Sequence, residues 1–341
     1  MRTAELIAPR TLRLTDMPID GPGPGEVQVR IGAVGICGSD LHAYCEGGVG
    51  GTPNVYPMVL GHEPAGTIVQ TGSGVTGLAA GDRGALEPAL YCYHCEYCVR
   101  GLHNVCANIR FLSNPRLPGF FRERINLPVA NFLPIPARMS LDEATLAEPL
   151  AVALHSVRLA SIRTGETVAV IGAGPIGLLT IAALRAAGAA RIWAVEPLSH
   201  RRELALGIGA EAALEPEEAA AEIARATGHR GVDCAIDCAA AEQTTGQAVQ
   251  LARSAGRVVL TGIHRASSVS LEGPVMRRKE LAILNVRRSN HETRDALELL
   301  QAHADWFGPL LTHAREIERI DEAFAISSEY RDGVGKMIVR P

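Results

Sequence analysis

The run TVAVIGAGPIGLLTIAALRAAGAARIWAVEP, residues 167–197, constrains the fold of this chain more than any other stretch. A short apolar strand meets a turn with glycines at Gly172, Gly174 and Gly177, an apolar helix follows, and a second strand runs into Glu196. Gly172 permits the tight turn, Gly174 lets the backbone approach a pyrophosphate, and Gly177 lets the helix pack closely on the strand. Pro175 and Ile176 open the helix, whose free N–H groups and dipole favour phosphate at that end. A lone G-x-G-x-x-G is weak evidence. Placed between strand and helix, with an acid some twenty residues on, it predicts a dinucleotide-binding βαβ unit. Glu196 suits the two ribose hydroxyls of NAD and repels the extra phosphate of NADP, so NAD is the expected cofactor. Arg201, placed at the cofactor as well, and Arg202 follow closely and soften that preference.

The alternation continues through ELALGIGAEAAL, GVDCAIDCAA, TTGQAVQLARSAGRVVLTGI and LAILNV, which predicts a parallel sheet with helices on both faces. The first 147 or so residues read differently. EVQVRIGAVGIC, EPAGTIVQTG and RGALEP are short strands broken by Gly and Pro, the pattern of a β-rich, barrel-like domain. After about residue 287 come a helix, TRDALELLQAH, and a closing strand, GKMIVR. EPEEAAAEIARA, acidic and Ala-rich, reads as a solvated helix. A length of 341 residues fits two domains. The net charge of -4 gives no reason to expect nucleic acid or an anionic membrane as partner. No apolar run approaches the roughly 20 residues of a membrane span, and MRTAELIAPRTLRL lacks a signal-peptide core. A cytoplasmic chain with reduced thiols is expected, in which clustered cysteines suggest metal rather than disulfides.

Four of the eight cysteines fall in CYHCEYCVRGLHNVC, at Cys92, Cys95, Cys98 and Cys106. Four thiolates in one short loop complete a tetrahedral zinc shell and leave no position open, so this site is structural. His94 and His103 lie within the stretch but are not needed for the shell. Cys234 and Cys238, in an apolar strand-like run, read as buried structural cysteines. A second, dispersed set includes Cys37, Ser39, Asp40 and His42 in GICGSDLH, His62 and Glu63 in GHEPAG, and Glu148 in AEPLAVALH. Taken singly, each passes for a turn residue or a satisfied polar group. Together they offer one Cys, one His and one carboxylate, the three-ligand set of a catalytic zinc with an open fourth position.

In order along the chain, GICGSDLH, GHEPAG, GDR, the cysteine lobe, EPLAVALH, GAGPIG and GKMIVR resemble the zinc-dependent medium-chain dehydrogenases, the alcohol, sorbitol and threonine dehydrogenase superfamily. The likeness covers essentially the whole chain and is closest to the polyol and threonine branch, since simple alcohol dehydrogenases usually have Cys where Glu148 stands. It implies an α/β plus β fold: a GroES-like catalytic domain, 1–147 and 287–341 with a zinc lobe at about 88–110, and an inserted Rossmann doubly wound parallel sheet at 148–286 that binds NAD. It implies two zinc ions per chain, with Cys37 and His62 on the catalytic one. Either Glu63 ligates directly while Glu148 acts through a water, or Glu148 takes part itself. Asp40 would orient the His62 ring. Zinc would lower the pKa of a bound alcohol, and Ser39, two residues after Cys37, would pass its proton through the nicotinamide ribose to His42 near solvent.

The implied reaction is hydride transfer to NAD from a secondary alcohol of a polyol, sugar alcohol or vicinal diol. A threonine 3-dehydrogenase-like enzyme, a sugar-phosphate or sugar-acid dehydrogenase, and a nucleotide-binding protein without turnover are the alternatives. Arg287 matches an arginine that sorbitol dehydrogenases use near substrate and cofactor, but the tyrosine that follows it there is Arg288 here, which points towards an acidic or phosphorylated substrate. The family forms dimers or tetramers, so a homo-oligomer is expected.

Overall fold

The structure is a computed structural model that describes residues 1–114 and 116–341. The chain forms two compact units, Met1–Glu148 with Thr293–Pro341, and Pro149–Glu292. The sequence reading puts the boundaries at 147/148 and 286/287; the compact units divide after Glu148 and after Glu292. The stretch 287–292 stays with the second unit because the Glu292 carboxylate accepts the Asn290 N–H and lies 3.0 Å from His155 Nδ1.

In the first unit seven strands make one sheet, in the order Phe132–Pro134, Arg83–Leu86, Glu63–Thr71, Glu26–Gly35, Met337–Arg340 and His313–Glu316, with Arg124–Pro128 also paired to Glu26–Gly35. Val27, Val29 and Ile31 turn into a core completed by Ile68, Leu127, Phe120, Phe121 and Phe324. The register sets Gly35 opposite Glu63 on one side and opposite Ile338 on the other. Gly35 has to be glycine: a Cβ there would overlap Glu63 Oε2 and come within 2.8 Å of Lys336 Cε. Three distant segments are thereby drawn together at one end of the sheet.

The second unit is a six-stranded sheet in the order Ala212–Leu214, Arg191–Val195, Thr167–Ile171, Val232–Asp237, Ala252–Leu260 and Ala282–Asn285, every pair parallel. Numbered by sequence this is 3-2-1-4-5-6, the doubly wound order, with its switch point between Thr167–Ile171 and Val232–Asp237. The central strands are buried on both faces, which is why they read as continuous apolar runs. Cys234 and Cys238 sit among these buried residues, and burial pushes both thiols up to about 12. One expectation needs correction. EPEEAAAEIARA is not solvated all round: Pro216–Ala226 is a helix that buries Ala219 and Ile223, one turn apart, against the sheet. Among the described residues no helix is long and apolar enough to cross a membrane.

Candidate active site and metal centres

The four lobe thiols lie within 4.8 Å of one another, and none is in a disulfide. Cys92 and Cys98 are 3.9 Å apart, Cys95 and Cys106 3.9 Å, and Cys92 and Cys106 3.4 Å. A zinc–thiolate tetrahedron with bonds of about 2.3 Å has edges of about 3.8 Å, so the donor set fits zinc. The His94 backbone N–H leads a group of donors that pull the Cys92 thiol well below its ordinary value, while burial raises that of Cys98. Neither His94, bonded to the Cys92 carbonyl, nor His103, packed against the Tyr91 and Tyr93 rings, belongs to the cluster. We expect Cys95→Ser to lower the thermal midpoint and free one zinc to a chelator. Full stability with selective loss of turnover would contradict a structural site.

The second cluster comprises Cys37, His62 and Glu63. Cys37 caps the helix Gly38–Glu46, and His62 and Glu63 lie where the Glu63–Thr71 strand begins. Asp40, buried, ties these parts together. Its Oδ2 accepts the Cys37 N–H at 3.1 Å, its Oδ1 accepts the Gly61 N–H at 3.1 Å, and Oδ1 lies 3.4 Å from His62 Nδ1. That contact engages Nδ1 and leaves Nε2 as the ligating nitrogen. Burial works against charge on His62, but Asp40 and then Cys37 outweigh it and hold the ring well above its usual pKa. Ser39 Oγ is 3.4 Å from His62 Nε2, and His42 is partly exposed with Nδ1 3.2 Å from Glu46 Oε1.

Both Glu63 oxygens are buried without a hydrogen-bond donor of acceptable geometry, which suits a carboxylate that faces a metal. Oε2 makes an ion pair with Lys336, itself fully buried, whose Nζ donates to the Ile36 carbonyl at 3.0 Å. Glu148 is outside the three-residue donor group. Burial pushes its pKa up to about 8; Glu63 and Glu87 add to the shift, and His62 and Lys336 oppose it. Lys336 escaped the sequence reading. Its signal was rarity: it and Lys279 are the only lysines, against 31 arginines. Lys279 too has a buried task, with Nζ donating to the carbonyls of Val249, Gln250 and Ala252 at the end of the helix Thr244–Leu251.

In the second unit Gly172 has φ +87, and a Cβ there would come within 2.8 Å of Ala239. A Cβ on Gly177 would overlap the Gly172 carbonyl. At Gly174, which caps the helix Pro175–Ala186 with Pro175 in its first turn and Ile176 next, a Cβ would meet only Arg201 Nη1, at 3.6 Å. The open face of the turn therefore fits a phosphate group with Arg201 beside it. Glu196 is buried, its Oε2 accepting the Ala173 N–H at 2.7 Å and its Oε1 the Leu198 N–H at 3.1 Å. Arg202 is committed to the carbonyls of Glu196 and Pro197 and to Glu215. Arg287 is exposed just beyond the strand Ala282–Asn285, and Arg288 follows with φ +53.

Residues 23–137 match the model of the alcohol dehydrogenase GroES-like domain, and residues 175–302 that of the zinc-binding dehydrogenases. The chain is 31% identical over 343 residues to the sorbitol dehydrogenase of Bacillus subtilis, covering 100% of this chain and 97% of the relative. It is 34% identical over 334 residues to the L-idonate 5-dehydrogenase of Vitis vinifera, covering 95% and 91%. The crystal structure of galactitol-1-phosphate dehydrogenase from Escherichia coli superposes with a TM-score of 0.90 at 29% identity, over 100% of both chains. The chain belongs to the zinc-dependent medium-chain dehydrogenases, with a GroES-like domain and a Rossmann sheet. Within that family it stands in the polyol dehydrogenase branch.

Proposed function

We propose that this protein is an NAD-dependent zinc dehydrogenase that oxidises a secondary alcohol of a polyol, sugar alcohol or vicinal diol. The observation that carries the reading is the contrast between the two clusters: four thiolates that close one shell, and the sparser Cys37, His62 and Glu63, which leave room for a substrate oxygen. Bound in these sites, zinc would supply Lewis acidity toward that oxygen and NAD would supply the hydride acceptor. The chain's own residues do the rest. Asp40 sets the ring of His62 and the helix that starts at Cys37. Ser39, 3.4 Å from His62 Nε2, is placed to accept the alcohol proton, and His42, nearer solvent, to receive it onward. Glu148, within electrostatic reach of His62 and Glu63, acts beside the metal through a water or as a ligand itself. Glu196 and Arg201 bind the adenosine side of the cofactor at the turn made by Gly172, Gly174, Pro175, Ile176 and Gly177.

A panel of polyols, diols, threonine and sugar phosphates, followed by NADH or NADPH absorbance, tests the reading. Turnover of a polyol or diol with NAD supports it, and no turnover of any alcohol with either cofactor overturns it. Turnover confined to phosphorylated or acidic sugars would favour the second reading, which rests on the Arg287–Arg288 pair. We expect Ser39→Ala to lower kcat by about 10²-fold, the smaller effect of a proton-transfer group, with both zinc ions retained. Unchanged kcat would remove Ser39 from the relay. We place the enzyme in the cytoplasm as a dimer or tetramer, which sedimentation of the purified protein checks.

A further inference from the structure

Turns follow the carboxyl ends of the parallel strands Thr167–Ile171, Val232–Asp237 and Ala252–Leu260, and they pack against one another. A Cβ on Gly172 would lie 2.8 Å from Ala239 Cβ, and one on Gly262 would lie 2.7 Å from Ala240 Cβ. Asp237, fully buried, ends the middle strand. Every contact of its carboxylate comes from a donor: the N–H groups of Ala239 and Ala240 on Oδ1 at 3.1 and 2.9 Å, and the hydroxyls of Thr244 and Thr245 on Oδ2 at 3.0 and 2.8 Å. The single hydroxyl proton of Thr245 is therefore spent on Asp237.

Thr245 Oγ1 also lies 2.8 Å from His264 Nε2. A hydroxyl whose proton is committed elsewhere can only accept, so Nε2 must carry the hydrogen and donate it. In the neutral ring Nδ1 is then the acceptor. Two buried groups, Asp237 and Thr245, thus fix the tautomer of a histidine that is itself partly exposed, at the carboxyl edge of the sheet. The mechanism above gives this chain of groups no task.

The strand order says what lies over that edge. Glu196 directly follows the strand Arg191–Val195 on one side of the glycine turn; the strands that end at Asp237 and Leu260 are on the other side. A dinucleotide with its pyrophosphate on the turn and its adenosine ribose toward Glu196 extends its second nucleoside across these carboxyl ends. We propose that His264 Nδ1 accepts a hydrogen bond from the nicotinamide nucleoside, either from a ribose hydroxyl or from the carboxamide N–H. Asp237 and Thr245 act as positioning residues that hold the ring in the accepting tautomer. The inference rests on the proposed use of NAD.

The test is NADH binding to the zinc-replete enzyme, followed by NADH fluorescence, for wild type, His264→Ala, His264→Gln and Thr245→Val. The same titrations are run with the reduced 3-acetylpyridine analogue, which lacks the carboxamide N–H. We expect His264→Ala to raise the Kd of NADH about three- to tenfold, the range of one lost hydrogen bond, with zinc content unchanged. His264→Gln, whose amide both donates and accepts, recovers part of the loss, and Thr245→Val weakens binding without touching the ring. A loss with both cofactors assigns the donor to the ribose, and a loss with NADH alone assigns it to the carboxamide. Unchanged Kd values for both cofactors in His264→Ala, whatever happens to its stability, overturn the proposal. A wild type that binds neither cofactor overturns the use of NAD itself.

Discussion

Cys37→Ala is expected to bind one zinc per chain where the wild type binds two, and to lose at least about 10³-fold in kcat/KM. The magnitude follows from the chemistry: a Lewis acid at the reacting oxygen contributes several kcal/mol, and each 1.36 kcal/mol is a factor of ten. The stoichiometry follows from the separation of the donor sets. Cys37, His62 and Glu63 share no residue with Cys92, Cys95, Cys98 and Cys106. Two ligands remain in the variant, too few to retain zinc against a chelator. The fold should survive, because the Cys37 backbone N–H that Asp40 accepts is unchanged by the substitution. Metal analysis decides the matter: loss of both zincs would join the two sites, and loss of neither would take Cys37 out of the metal shell.

The parts of this molecule that were legible in the sequence are those whose geometry is local. The glycine turn is built from six consecutive residues, and Gly177 is constrained within it by the Gly172 carbonyl; only the contact of Gly172 with Ala239, far along the chain, is not local. The lobe cysteines gather within one loop, so their spacing alone reveals the site. The pair His62–Glu63 was legible as a pair, but its meeting with Cys37 depends on the register that sets Gly35 opposite Glu63, which no local pattern states. The choice between Glu63 and Glu148 was open for the same reason. It turns on distances of a few ångströms between segments some eighty residues apart. Asp237, Thr245 and His264 gave no signal, because a polar chain that crosses from strand to helix to loop has no periodicity. The helix Pro216–Ala226 was legible as a helix, but Glu217, Glu218, Glu222 and Arg225 masked Ala219 and Ile223, whose spacing of four is its buried stripe.

Lys336→Met is the substitution expected to cost most in stability. Lys336 and Glu63 are each about 1% exposed, and the ammonium also holds the Ile36 carbonyl beside Cys37. Removing one partner of a buried ion pair leaves an uncompensated charge, at about 3–5 kcal/mol. At about 2–4 °C per kcal/mol for domains of this size, the thermal midpoint should fall by about 10 °C. The cost lies in the stranded carboxylate and not in the lost packing, so Lys336→Met combined with Glu63→Gln should recover much of the loss. The same logic makes the effect depend on metal. Glu63 belongs to the donor set, so a divalent cation offers its charge a second partner. The midpoint of Lys336→Met should therefore fall further after chelation than that of the wild type does. Equal shifts in the two proteins would mean that Glu63 serves the ammonium alone, and would leave Cys37 and His62 to find their third ligand in Glu148.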